Sequence, residues 1–122
     1  MMRVWASALL FALLWLSGLV HAEVAVPPLS ARVTDLTSTL DVAQKQQLET
    51  RLAQFEAKKG TQIAVLLVPT TQPEAIEQYG IRVVEAWKLG RKGVNDGVLL
   101  LIAKDDRTLR IEVGYGLEGV LP

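Results

Sequence analysis

Two runs of apolar residues without a polar interruption dominate the chain. Each is six residues long, Ile63 to Val68 and Val98 to Ala103. A strand with one solvated face alternates apolar and polar residues, so an unbroken run predicts a strand that is covered on both faces. Strands of this kind lie in a sheet with helices above and below it. The two runs therefore predict an α/β fold.

A helical pattern precedes the first run. Asp41 and Gln44 are suited to a capping box at the start of this helix, and Gly60 is suited to the left-handed residue at its end. Between them, apolar residues recur at i, i+4 and i+7 and form one stripe along the helix. The residues of this stripe are Leu48, Leu52 and Phe55.

A second helix is predicted between the two runs, with Pro73 near its first position. Its apolar residues again recur at helical spacing: Ile76, Tyr79, Val83 and Trp87. Trp87 lies on this stripe, which favours packing in the core over stacking on a ligand. The strand–helix–strand order predicts that the two apolar strands are parallel and joined by a right-handed crossover.

A third strand follows the second run. Leu109, Ile111 and Val113 alternate with polar residues, which predicts a strand with one solvated face. The connection from Ala103 has about five residues, too few for a parallel crossover, so it predicts an antiparallel hairpin. The fold class predicted is a three-layer α/β/α sandwich with a mixed sheet. It contains two parallel strands and one antiparallel hairpin strand, and is incomplete at its C-terminal end.

The N-terminal residues have the pattern of a secretory signal peptide. Arg3 precedes an apolar stretch, and Val20-His21-Ala22 has the small-x-small form of a cleavage site. We predict cleavage after Ala22 and a periplasmic or extracytoplasmic location; an uncleaved anchor helix is the alternative. Residues 1–22 are then the signal peptide, 23–30 an extended lead-in, and 31–122 the α/β domain.

Composition excludes several kinds of chemistry. The chain has no cysteine, and its single histidine, His21, lies in the predicted leader. A Ser-His-Asp triad, a thiolate nucleophile and a histidine zinc site are therefore excluded downstream of the leader. Removing Arg3 from the 13 basic residues leaves 12 against 13 acidic ones, a net charge of −1. This balance gives no basic surface for nucleic acid.

The C-terminal glycines, Gly114, Gly116 and Gly119, match the G-x-G-x-x-G pattern of dinucleotide-binding sites. That pattern needs a buried parallel strand before it and a helix after it. The preceding strand is predicted to be antiparallel and half-solvated, and no helical pattern follows. We therefore expect no bound nucleotide. The favoured interpretation is that these glycines form a sharp turn.

Acidic residues are the remaining candidates for chemistry. The hairpin brings Asp96 and Glu118 towards one edge of the sheet, and Asp35 could reach either edge. Two converging carboxylates without a basic partner favour a hard cation, which predicts Ca²⁺ or Mg²⁺ at this edge with Asp35 as a third ligand. Asp105 and Asp106 at the opposite edge are a weaker alternative. Each acid alone is also suited to a solvated turn.

Several of these segments together resemble the TPM domain family. They are Val33 to Asp35, Trp87 to Gly90, Asn95 to Leu100 and Arg110 to Gly119. The positions that match the family pattern are Asp35, Trp87, Gly90, Asn95, Gly97, Gly114, Gly116 and Glu118. The family includes photosystem II repair proteins, a nicotinic-receptor auxiliary protein and many exported bacterial proteins.

The resemblance implies an α/β/α sandwich on the non-cytoplasmic side of a membrane. Some members are described as weak acid phosphatases and some as binding divalent metal. The family pattern continues with a further acid, more helix and often a membrane-anchored tail. We therefore expect an exported, non-catalytic module that supports assembly or maintenance of a membrane protein complex and binds a divalent cation. The alternative is a divalent-metal-dependent acid phosphatase with a carboxylate site.

Overall fold

Residues 23–114, the part of the chain that this computed structural model describes, contain four strands and two helices. They are β1 (Val33–Asp35), α1 (Val42–Lys59), β2 (Ile63–Val68), α2 (Ile76–Trp87), β3 (Val98–Ala103) and β4 (Thr108–Val113). The strands form one sheet in the order β1-β2-β3-β4. The first three are parallel and β4 is antiparallel to β3. The predicted α/β class, the parallel pair and the hairpin are confirmed.

Strand β1 is an element that the sequence pattern did not predict. It pairs in parallel with β2, with Val33 opposite Val65 and Asp35 opposite Leu67. The carboxylate of Glu49 on α1 accepts hydrogen bonds from the backbone N–H groups of Arg32 (3.0 Å) and Val33 (2.9 Å). A strand of three residues is too short to show a period of two, so tertiary pairing and this helix contact define it.

Helix α1 begins and ends as its sequence predicts. The Asp41 carboxylate accepts the N–H of Gln44 at 2.7 Å, and the Gln44 side chain accepts the N–H of Asp41 at 3.0 Å. Gly60 has a φ of 79° and closes the helix. Leu48 and Leu52 pack against the cluster formed by Val33, Val65 and Leu67. Phe55, the third residue of the predicted stripe, is 42% exposed.

Helix α2 begins three residues after Pro73, with Ala75 as its N-cap. It covers the opposite face of the sheet and buries Tyr79, Val83 and Trp87. Their partners in the sheet are the alternate side chains of β2 and β3, namely Ala64, Leu66, Val68, Leu99, Leu101 and Ala103. The core position predicted for Trp87 is confirmed.

The segment Glu23–Pro28, here named the N-terminal strap, lies against α2. Trp87 donates its indole N–H to the carbonyl of Pro27 at 2.8 Å, and the Tyr79 hydroxyl donates to the carbonyl of Ala25 at 3.0 Å. Val24 and Val26 pack against the α2 side of the core. The strap thus supplies the acceptors that two buried aromatic side chains require.

The two helices cover different halves of the sheet. The backbone of α1 approaches β1 and β2, whereas the backbone of α2 approaches β3 and β4, and the buried side chains of α2 also reach β2. On β3, Leu99 and Leu101 face α2 and are fully buried, but Leu100 on the α1 side is only half-buried. The prediction that β3 is covered on both faces therefore holds for its α2 face and only in part for the other. Between residues 23 and 114, neither helix is long and apolar enough to cross a membrane.

Candidate functional site

Three glycines meet where the α2–β3 loop, the start of β3 and the end of β4 come together. We name Gly90, Gly97 and Gly114 the glycine junction. A Cβ at Gly97 would lie 2.5 Å from the carbonyl carbon of Leu89, and a Cβ at Gly114 would overlap the backbone oxygen of Asn95. Gly114 also donates its N–H to the Gly97 carbonyl at 2.8 Å. These glycines of the family pattern allow backbone segments to pack directly on one another.

Asp96 lies beside the junction and is almost fully buried. Its carboxylate accepts the backbone N–H of Arg91 at 2.8 Å and the guanidinium Nε of the same residue at 2.8 Å. The guanidinium Nη2 lies 2.7 Å from Oδ2, the same carboxylate oxygen that accepts from Nε, while Oδ1 accepts the backbone N–H. The hydrogen bond from the Arg91 side chain, followed by that from its backbone, holds the pKa of Asp96 below its usual value. Asp96 has the basic partner that the sequence analysis assumed to be missing.

Asp35 occupies a turn at the end of β1. One carboxylate oxygen accepts the N–H and the hydroxyl of Thr37 at 2.9 and 2.6 Å, and the other accepts the N–H of Leu40 at 2.8 Å. Burial raises the pKa of Asp35, but these hydrogen bonds outweigh it, so the pKa lies below its usual value. The Asp35 carboxylate thus stabilises the turn between β1 and α1.

Asp35 and Asp96 lie at opposite ends of the parallel strands. Asp35 is level with Leu67 and Ile102, near the carboxyl ends of β2 and β3, whereas Asp96 precedes β3. Six strand residues correspond to about 20 Å, so one ion cannot bind both side chains. Residues 23–114 contain no group of three or more acidic or histidine side chains arranged to hold a metal. Glu118 and Gly116 lie outside the described residues, and the cation site predicted at Glu118 stays a prediction.

The weaker acidic candidates lie in the β3–β4 turn. The Asp106 carboxylate accepts the Thr70 hydroxyl at 2.8 Å and the N–H of Thr71 at 3.1 Å. Asp105 is exposed, and its backbone N–H donates to the Pro69 carbonyl at 2.8 Å. Asp106 therefore joins the turn to the loop that leaves β2, at the edge where ligands of open α/β sheets bind.

A cleft of about 370 Å³ opens between α2 and the end of β4. Its apolar lining includes Val84 and Leu89, and its charged lining residues are Glu85, Lys88 and Glu112. Charges of both signs are interspersed here, so the cleft does not concentrate a field of either sign. It contacts the glycine junction through Gly114.

An apolar surface on β3 and β4 was missed by the sequence analysis. Leu100 lies opposite Ile111, and Ile102 lies opposite Leu109, so all four side chains share the α1 face of the sheet. Leu109 and Ile111 are 59% and 56% exposed. We name Leu100, Ile102, Leu109 and Ile111 the β3–β4 apolar face.

The solvated face of β4 is thus the opposite of the one that its sequence predicts. Arg110 and Glu112 are half-buried next to Gly80 of α2, and their side chains form an ion pair at 3.1 Å. The predicted alternation along β4 is present. The exposed side is the apolar one, because α1 does not extend as far as β4.

Acid should destabilise the domain through Asp35 and Asp96. Both carboxyls have pKa values lowered by folding, so their contribution is complete above the unfolded value of about 4 and is lost as the pH falls through the lower, folded value. Asp96→Asn should be less stable than the wild type at pH 7, and the difference should shrink towards pH 3. Urea melts across this range measure it; a constant difference would contradict the ion-pair role of Asp96.

The fold is an α/β sandwich with a mixed sheet. Its motif glycines allow backbone segments to pack closely at the glycine junction. The family model of the TPM domain matches residues 33–122. The chain belongs to the TPM domain family, as the sequence motifs predict. The name of this family also carries the word phosphatase. A comparison with curated proteins gives no significant match.

Several solved structures resemble the chain, among them two N-terminal domains. The N-terminal domain of a protein from P. gingivalis is 31% identical, with a TM-score of 0.71, over 80% of this chain and 65% of that one. The N-terminal domain of a protein from Corynebacterium glutamicum has a TM-score of 0.60 over 79% of this chain and 63% of that one. At 16% identity, the second likeness concerns the fold alone. The chain spans slightly less than two thirds of the length of either solved domain.

Proposed function

We propose that this TPM domain is an exported, non-catalytic module that binds a membrane protein complex through the β3–β4 apolar face. The observation that carries the proposal is the exposure of Leu109 and Ile111, each more than half exposed beside Leu100 and Ile102. Contiguous apolar side chains on a soluble domain mark surfaces that a protein partner covers. On the other face of the same strands, α2 fully buries Leu99 and Leu101.

Export is supported by the sequence of the leader. Arg3, the apolar stretch after it and Val20-His21-Ala22 have the order of a secretory signal peptide. The strap begins at Glu23, directly after the cleavage site that we propose, and is already packed on α2. In this proposal the mature protein begins at Glu23, in the compartment where it meets the extracytoplasmic part of its partner.

The hydrogen bonds that the carboxylates already accept favour a partner-binding module over a metal-dependent enzyme. Asp35, Asp96 and Asp106 each accept several hydrogen bonds from their own chain. A carboxylate that is to ligate a catalytic cation needs lone pairs free for it. The divalent-metal-dependent phosphatase stays an alternative that rests on the family resemblance and on Glu118.

Site-specific photocrosslinking in intact cells tests the proposal. A photoreactive residue at position 109 should form an adduct with a membrane protein, because this position lies in the exposed apolar face. The matched control is position 77, where Glu77 is exposed on α2 on the other side of the sheet. Adding Ile111→Glu to the position 109 probe should abolish the adduct. Equal adducts at positions 77 and 109, or an adduct that survives Ile111→Glu, would contradict the proposal.

A further inference from the structure

Within residues 23–114, the backbone of β4 presents unpaired hydrogen-bonding groups at the outer edge of the sheet. Gly114 donates its N–H to the carbonyl of Gly97, the residue directly before β3, and this bond sets the phase of the antiparallel ladder. The residues at even positions, from Thr108 to Glu112, therefore bond to β3. Leu109, Ile111 and Val113 direct their N–H and C=O groups outward. Among residues 23–114, no strand pairs with this outer edge.

The outer edge of β4 lacks two of the usual protections against pairing. Natural edge strands are often interrupted by proline or a bulge, or carry inward-pointing charged residues. β4 has six residues in continuous register with β3, and no proline lies among them. It does carry inward-pointing charges, but Arg110 and Glu112 have opposite signs and form an ion pair with each other. The residues that present free backbone groups are also the ones with apolar side chains.

We propose that β4 pairs antiparallel with β4 of a second copy of this chain, about a two-fold axis at Ile111. In this register Ile111 faces its counterpart, Leu109 faces Val113, and Arg110 of each copy faces Glu112 of the other. Every outward N–H and C=O of the three apolar residues then finds a partner. The product is an eight-stranded sheet with a continuous apolar face.

The charges select this register over its neighbours. Pairing must bring outward-facing residues opposite one another, so the register can change only in steps of two residues. A two-fold axis at position 110 would place Arg110 opposite Arg110, and an axis at position 112 would place Glu112 opposite Glu112. Like charges directly opposite one another destabilise a strand pair, whereas opposite charges stabilise it.

The helix layer is compatible with this pairing. Helix α2 contacts both β3 and β4, so its axis lies back from the edge. With strands about 4.8 Å apart, two such helices would lie about 10 Å apart, a normal packing distance. Ile81, 46% exposed on the flank of α2, lines the same cleft as Glu112 and Val113. The α2 side of the edge thus also offers an apolar side chain.

Charge reversal tests the pairing in the protein produced from the full sequence. Sedimentation equilibrium should give twice the monomer mass for the wild type. Arg110→Glu alone and Glu112→Arg alone should each weaken self-association at least tenfold, because each places two pairs of like charges across the interface. An equimolar mixture of the two variants should restore the dimer, because every Glu of one chain then faces an Arg of the other. This recovery cannot arise from two misfolded proteins.

Lys104→Glu is the control, since Lys104 is exposed in the β3–β4 turn outside the paired residues and its change should leave the dimer intact. A monomeric wild type at high micromolar concentration would overturn the proposal, and so would a mixture that stays monomeric. The pairing goes beyond the proposed function: it uses the edge of β4, whereas the membrane protein partner uses the face. If the protein is a monomer but a probe at position 109 still crosslinks to a membrane protein, the dimer is overturned and the proposed function is retained.

Discussion

Replacing Gly97 by alanine is expected to destabilise the domain by about 3 kcal/mol, the upper end of the usual cost of overpacking. A Cβ here would lie 2.5 Å from the Leu89 carbonyl carbon and 2.7 Å from the Gly90 nitrogen. Both are backbone atoms, so no rotation of a side chain can relieve the contact. The α2–β3 loop would have to move away from β3, and the glycine junction would open.

Gly93→Ala is the matched control for this substitution. Gly93 also lies in the α2–β3 loop, and its φ of +84° disfavours alanine, but a Cβ there has nothing within 4 Å. Its cost should therefore be the conformational term alone, about 1 kcal/mol. Urea denaturation of both variants measures the difference. Equal losses would mean that the loop adapts and that the junction does not constrain the backbone.

Replacing Leu101 by alanine is expected to cost about 2–5 kcal/mol, because its fully buried side chain packs between the sheet and α2. Leu109→Ala should cost less than about 1 kcal/mol, since Leu109 is 59% exposed on the apolar face. Leu100→Ala should lie between them. The three substitutions are chemically identical, so differences in unfolding free energy report how far each helix covers the sheet.

Denaturant midpoints of the three leucine variants give this ranking directly. A loss at Leu109 as large as that at Leu101 would show that the β3–β4 apolar face is covered within the isolated protein. That outcome would remove the observation on which the proposed binding surface depends.

Local signals were sufficient to predict most of the fold. The capping box of Asp41 and Gln44, the left-handed Gly60 and the short link between β3 and β4 act over a few residues, and the structure confirms each. The unbroken apolar runs predicted β2 and β3, since this signal too is contained within a few residues. Strand β1 lacked such a signal, because three residues cannot display a period and its pairing partner lies about 30 residues away in sequence.

Coverage of the sheet could not be predicted, because it depends on where each helix packs. The sequence shows that β4 has an apolar side, but not that α1 stops at β2 and leaves this side exposed. The basic partner of Asp96 could not be predicted for a related reason. Arg91 lies five residues before Asp96 within one loop, and only the folded loop turns its guanidinium onto the carboxylate. The sequence motifs identify the glycines of the family pattern, but they do not show which backbone segments these glycines contact in the folded domain.

The N-terminal strap affects the order in which the chain can fold. Its carbonyls at Ala25 and Pro27 accept hydrogen bonds from Tyr79 and Trp87, which lie 54 and 60 residues later. Contacts of such long range make folding slow, since a large loop must close before they form. A polypeptide that is synthesised from its N-terminus presents the strap long before Trp87 exists. Until α2 is complete, the carbonyls of the strap lack these two donors, so this layer of the fold can close only late in synthesis.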